Sequence, residues 1–167
     1  MRALGQHSCF ARRSRDNDDW WSLVAGVIYN CTKAMFAGDT DWASPAQTYK
    51  ALLAGGDYEP KASHRRVSDV EAELSGKGYE RQTLHGRSIV ANETDGRADC
   101  HAEAVTFGKL ATKESYRWLV VYRERDSDAR SELVCAVDMD EVSLAGISEH
   151  TIRWDGEEKQ GRVFSLR

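Results

Sequence analysis

The chain has 167 residues, room for one domain with a real core. Its 27 acids against 23 bases leave a net charge of −4, with 41% hydrophobic and 30% charged residues. That excludes a strongly basic nucleic-acid footprint, and no apolar run approaches the roughly 20 residues a membrane helix needs.

Residues 1–23 are polar and mixed in charge. Arg12, Arg13 and Arg15 are followed by Asp16, Asp18 and Asp19, where a secretion signal would place an apolar stretch. The stretch is expected to be a disordered or extended N-terminal arm, or coding sequence upstream of a start near Val24 or Val27. Residues 24–167 are expected to form a single β-rich domain. Without a signal, the place of synthesis and use is expected to be a cytoplasm.

From Ile28 the pattern changes. Ile28, Cys31, Met35 and Phe36 recur at helical spacing and Gly38 stops the run, so a short helix is predicted over 28–37. A loop follows through Asp41, Trp42 and Pro45. Residues 48–54 read as a buried strand closed by Gly55 and Gly56. Residues 57–66 read as a loop, and 67–74 as a helical turn or an extended piece.

Strands dominate from there. Asp95-Gly96 between two strand-like runs, 87–94 and 97–107, predicts a hairpin with a type I′ turn. "YRWLVVY", residues 116–122, is the clearest strand in the chain. Residues 123–132 form a charged loop, then 133–137, 151–154 and 163–166 are strands, with a turn at Asp155-Gly156. Short strands at this spacing, without βα alternation, predict a mainly β fold: an antiparallel β-sandwich, jelly-roll-like, with a short N-terminal helix.

Motifs that suggest chemistry have plainer readings. Ser75-Gly76-Lys77-Gly78 resembles part of a phosphate-binding loop, but no apolar strand precedes it and no helical stripe follows. Gly76 and Gly78 are expected as positive-φ turn positions. Cys9, Cys31, Cys100 and Cys135 form no metal or redox pair by spacing. Cys100 and His101 are neighbours in a strand and face opposite ways. Asp138, Asp140 and Glu157 are the acids that a small metal-dependent hydrolase or nuclease would use, yet their spacing is not that of a calcium loop. No catalytic residue, cofactor or metal is therefore assigned.

The order of several segments resembles a group of tailed-bacteriophage virion proteins. They are "IYNCTKAMFAGDTDW", "TYKALLAGGDYEP", "VSDVEAELSGKGYE", "RWLVVYRE" and "TIRWDGEEKQGRVFSL", spread over residues 27–167. The chain departs from that group in about 25 additional N-terminal residues, and in having "ERQTLHG" where a Gly-Gly often follows Gly-Tyr. The resemblance implies a non-enzymatic head decoration, head-fibre or capsid-stabilising subunit. The alternative it implies is a tail, neck or head-completion component. Its location would be the virion, and the host cytoplasm during assembly. Its partners would be the major capsid protein or other virion proteins, and a second copy of itself in an oligomer, by analogy a trimer. Neither nucleic acid nor membrane is a partner in this reading. The expected interface residues are Trp42, Arg123, Arg125 and Arg130, with internal packing as the equal alternative for Trp42.

Overall fold

The computed structural model describes residues 7–10, 26–36, 38, 40–156 and 160–166. The fold is mainly β. Its strands are β1 (His7–Phe10), β2 (Gly26–Ile28), β3 (Tyr49–Ala54), β4 (Gln82–Thr83), β5 (Ser88–Asn92), β6 (Arg97–Glu103), β7 (Val105–Gly108), β8 (Ser115–Arg123), β9 (Glu132–Ser143), β10 (Glu149–Arg153) and β11 (Gln160–Leu166). One helix, α1 (Asn30–Phe36), follows β2, and a 3-10 turn spans Val67–Asp69. The strands form a five-stranded sheet, β2-β9-β8-β3-β4, and two three-stranded sheets, β11-β6-β5 and β1-β10-β7. Every pairing is antiparallel except that of β1 with β10.

The five-stranded sheet is buried on both faces. Ala51, Leu53, Leu119 and Val121 join Phe107, Ile152 and Phe164 of the smaller sheets, and Trp154 just after β10, in one core. Leu52, Ala54, Val120 and Tyr122 turn the other way and meet Tyr29, Tyr58 and Val67. A strand covered on both sides needs apolar residues at every position. That is why "ALLA" and "LVVY" are continuous apolar runs and do not alternate.

The run 97–107 is not one strand. Ala104 separates β6 from β7, and the two pair with different strands, β6 with β11 and β7 with β10. Together they make a bent ribbon. Trp154 fixes the bend, donating its indole N–H to the carbonyl of Glu103 at 2.8 Å. Gly161 lies against Trp154 so closely that a Cβ there would collide with the Trp154 carbonyl.

Other boundaries differ from the expected ones for identifiable reasons. Gly26–Ile28 is a strand on β9, so the helix starts at Asn30 inside the span read from spacing. Its first turn docks on a bulge in β9. The register shifts between Val121 and Tyr122 of β8, leaving Val134 as the extra residue. The Thr32 hydroxyl donates to the Val134 carbonyl at 2.6 Å, and the Cys31 thiol approaches that of Leu133 at 3.2 Å. The hairpin at Asp95-Gly96 closes with Asn92 opposite Arg97, a four-residue connection. Gly96 alone in that connection takes a positive φ, of 60°, so the expected type I′ turn is absent. The Asn92 side chain instead accepts the Asp95 N–H at 3.1 Å and shapes the longer loop. β9 runs on through Asp138–Glu141 as a second bulge opposite Arg117, with Asp140 and Glu141 at φ 56° and 37°. Of the N-terminal arm, His7–Phe10 is a strand and the remainder of 1–23 lies outside the described residues.

Gly161→Ala is expected to lower the unfolding free energy by about 1–3 kcal/mol, the usual cost of an overpacked site. Equilibrium urea unfolding measures it. An unchanged midpoint would mean that the bend yields without strain.

Candidate functional site

The charged loop after β8 is shorter than its sequence suggests. Arg123 ends β8 and Glu132 opens β9, directly opposite each other, so the loop proper is 124–131. Arg123 is only 8% exposed. It donates from Nε to Glu132 Oε2 at 3.0 Å and from Nη1 to the Thr40 hydroxyl at 2.6 Å.

Glu132 collects two further guanidinium groups. Arg125 reaches Oε2 from Nε at 3.3 Å. Arg66, which pairs with Glu132 through the backbone, places Nη1 3.2 Å from Oε1 and donates to the Arg130 carbonyl at 2.9 Å. Arg66, Arg125, Arg130 and Glu132 line an open cleft. Three cations against one anion leave that lining with an excess of two positive charges. Arg130 is exposed and paired with Asp126 at 2.7 Å.

The loop is held in shape from beneath. Its N–H groups at Arg130 and Ser131 both donate to the Ser127 carbonyl, and the Arg125 N–H donates to the Ser131 hydroxyl at 2.9 Å. Asp128 is gripped by both terminal nitrogens of Arg81, at 2.7 and 2.9 Å, while Arg81 also holds Glu73. That hydrogen-bonded grip keeps the Asp128 carboxyl below its ordinary pKa. Burial pushes the Glu132 carboxyl up, but the hydrogen bond and charge of Arg123, with the charge of Arg125, outweigh it and the net shift is downward. The arginines therefore stand over a permanently ionised carboxylate at neutral pH.

The four expected interface residues do not share a fate. Arg125 and Arg130 lie on the cleft. Arg123 lies beneath it, a positioning group for Glu132. Trp42 is fully buried, packed on Tyr49 and Phe164 at ring distances of 4.7 and 5.1 Å. Its indole N–H donates to the His101 carbonyl at 2.7 Å, so it offers a partner no surface. Of the two roles open to Trp42, interface anchor or internal packing, the structure uses the second. Arg66 was not expected: it sits in what reads as a plain polar loop, and only its pairing with Glu132 brings it to the cleft.

The remaining motifs resolve locally. Residues 76–79 form a turn closed by the Tyr79 N–H on the Gly76 carbonyl at 3.0 Å, with Gly78 at φ 82°. Gly76 does not take a positive φ; it is small because a Cβ would strike Thr112 and Glu114. β4 follows, not a helix, so no helix N-terminus faces Lys77. Asp138 is committed to Arg117 at 2.7 Å and caps the Asp140 N–H. Glu157 lies outside the described residues. Among the described residues no three His, Cys, Asp or Glu side chains gather where they could hold a metal ion. Cys100 and Cys135 are buried thiols, both raised in pKa by burial. No helix among the described residues is long and apolar enough to cross a membrane. The chain matches no protein-family model, no curated protein and no solved structure.

Two predictions follow from this geometry. The Glu132 carboxyl has a folded pKa below its ordinary 4.5. Its contribution to stability is thus complete above that value and is lost as pH falls through the lowered folded value. Glu132→Gln should cost about 2 kcal/mol at pH 7, the scale of charge-assisted hydrogen bonds, and should flatten part of the fall in stability between about pH 5 and pH 3. Urea titrations at several pH values test it, and parallel curves for the two proteins would refute it. Separately, Gly78→Val should destabilise by about 1–3 kcal/mol while Lys77→Ala changes little. Nucleotide binding that depends on Lys77, read by calorimetry, would overturn the turn assignment.

Proposed function

We propose that the protein is a non-enzymatic binding subunit of a tailed-phage or prophage particle, a head decoration, head-fibre or capsid-stabilising protein. In this reading its sheets make a jelly-roll-related β-sandwich that serves as a rigid platform. The arginine cleft is the docking surface, and an acidic patch on the major capsid protein is what it docks against.

The observation that carries the reading is the cleft itself. Guanidinium groups are suited to bidentate contact with carboxylates, and these are held in place before any partner arrives. Beyond their ion pairs with Glu132, Arg66 Nε and Nη2 and both terminal nitrogens of Arg125 make no hydrogen bond among the described residues. The order of the sequence segments between residues 27 and 167, which resembles that of tailed-phage virion proteins, supports a particle as the place of such a surface. Single contacts of this size are weak, and repetition over a capsid lattice multiplies them.

The experiment is co-sedimentation of the purified protein with undecorated heads. Wild type is expected in the pellet, and more of it at low salt than at high. Arg125→Ser with Arg130→Ser should weaken binding at least about tenfold, the loss of roughly 1.4 kcal/mol. Binding to tails and not to heads would move the protein to a tail, neck or completion role. Head binding indifferent to both salt and the two substitutions would remove the cleft from the interface.

A further inference from the structure

Independently of that reading, the free edge of β5 carries a second surface. Ile89 and Val90 are the exposed large hydrophobic residues among the described ones, at 45% and 49% exposure. They are adjacent, so they stand on opposite faces of the same strand. β5 is the last strand of its sheet, paired with β6 on one side and with no described strand on the other.

Edge strands expose unpaired backbone groups, and proteins ordinarily protect them with brevity, charge, proline or a bulge. Three of the other edges have such protection, and the outer side of a fourth, β7, lies beside β4. β4 has two residues and β2 three. β11 carries Arg162 and a register shift after it. β5 has none of these devices: "SIVAN" holds no charge and no proline, and its five pairs with β6 run without a register shift. An uncharged, regular, apolar edge fits a strand that is covered in the working protein.

We infer that β5 pairs antiparallel with β5 of a second copy of this chain, about a two-fold axis through Val90. The sequence is complementary to itself in that register. Val90 meets Val90, Ile89 meets Ala91, and Ser88 meets Asn92. Just beyond the strand, Arg87 is already held by the carbonyls of Trp42, Ser44 and Gln47 and adds no ion pair across the seam. A parallel pairing would set the exposed Glu93 beside Glu93, like against like. On one face Ile89 and Ala91 of the two copies form a single apolar patch. The two three-stranded sheets become one continuous sheet, β11-β6-β5-β5-β6-β11. A two-fold pairing closes on itself as a dimer, which replaces the trimer expected by analogy. Two five-residue strands bury well under about 1,000 Å², so the association is micromolar or weaker.

Sedimentation velocity of the full chain from about 1 μM to about 1 mM covers that range. A reversible monomer–dimer equilibrium is expected. Val90→Lys and Ile89→Lys should each weaken it at least tenfold, with the circular dichroism spectrum and Tm unchanged, since both side chains are already exposed. Val90→Cys should form a disulfide-linked dimer on mild oxidation, while Ala129→Cys on the exposed loop and the wild-type chain should not. A chain that stays monomeric over the whole range would overturn the proposal. So would a trimer, or a dimer that both lysine variants leave intact. None of these measurements uses a phage particle, so they stand or fall apart from the docking reading.

Discussion

The central pair β8 and β9 sets the terms for the rest of the molecule. Both strands are covered on both faces, so almost every position between Leu119 and Tyr122 and between Leu133 and Val137 is committed to packing. Backbone groups there are met by neighbouring strands or, at the β9 bulge, by Tyr29, Thr32 and Arg65. Exposed charge and exposed apolar side chains are left to places where the sheet ends. The rim where β8 passes into β9 holds the arginines, and the outer edge of a smaller sheet holds Ile89 and Val90.

Gathering arginines at such a rim is possible only because something neutralises them. Like charges in a partly desolvated cleft repel, and Glu132 is the counter-charge at its floor. It is fixed by β9 directly across from Arg123, whose burial leaves it little freedom to turn away. A mobile glutamate on the loop would serve less well, since ordering it would cost side-chain entropy. The bridge at Asp128 acts on the other side of the loop. Arg81 spans Glu73 and Asp128 and rests over the Tyr122 ring at 5.5 Å, joining the loop to the strand that leads into it.

The strands were legible in the sequence where burial is two-sided. Residues 48–54 and 116–122 needed no partner to be recognised, because an unbroken apolar run of β-branched and aromatic residues suits a covered strand. Legibility failed where pairing, not composition, decides. "DMDE" lies beyond the strand expected at 133–137, yet it continues β9, because Arg117 across the sheet holds Asp138. Trp42 among acids and small residues reads equally as an anchor or a core residue. Its burial depends on β11, more than a hundred residues away, supplying Phe164. The cleft was half legible. "RERDSDAR" announces charge, but no spacing rule links Arg66 to Glu132, which meet only through a long-range bridge.

The two surfaces differ in what they can contribute. Exposed guanidinium groups act over distance, steer encounter and weaken with salt. A bare strand edge acts only on contact, through hydrogen bonds in register, and demands a partner of matching sequence. A second copy meets that demand without any further gene product. Pairing at β5 would join two arginine clefts in one particle, and a two-point attachment raises apparent affinity without a new contact to the target. That gain is realised only if the target presents its acidic patches at the spacing the dimer sets. The strand edge would then select among surfaces that the charges alone would treat alike.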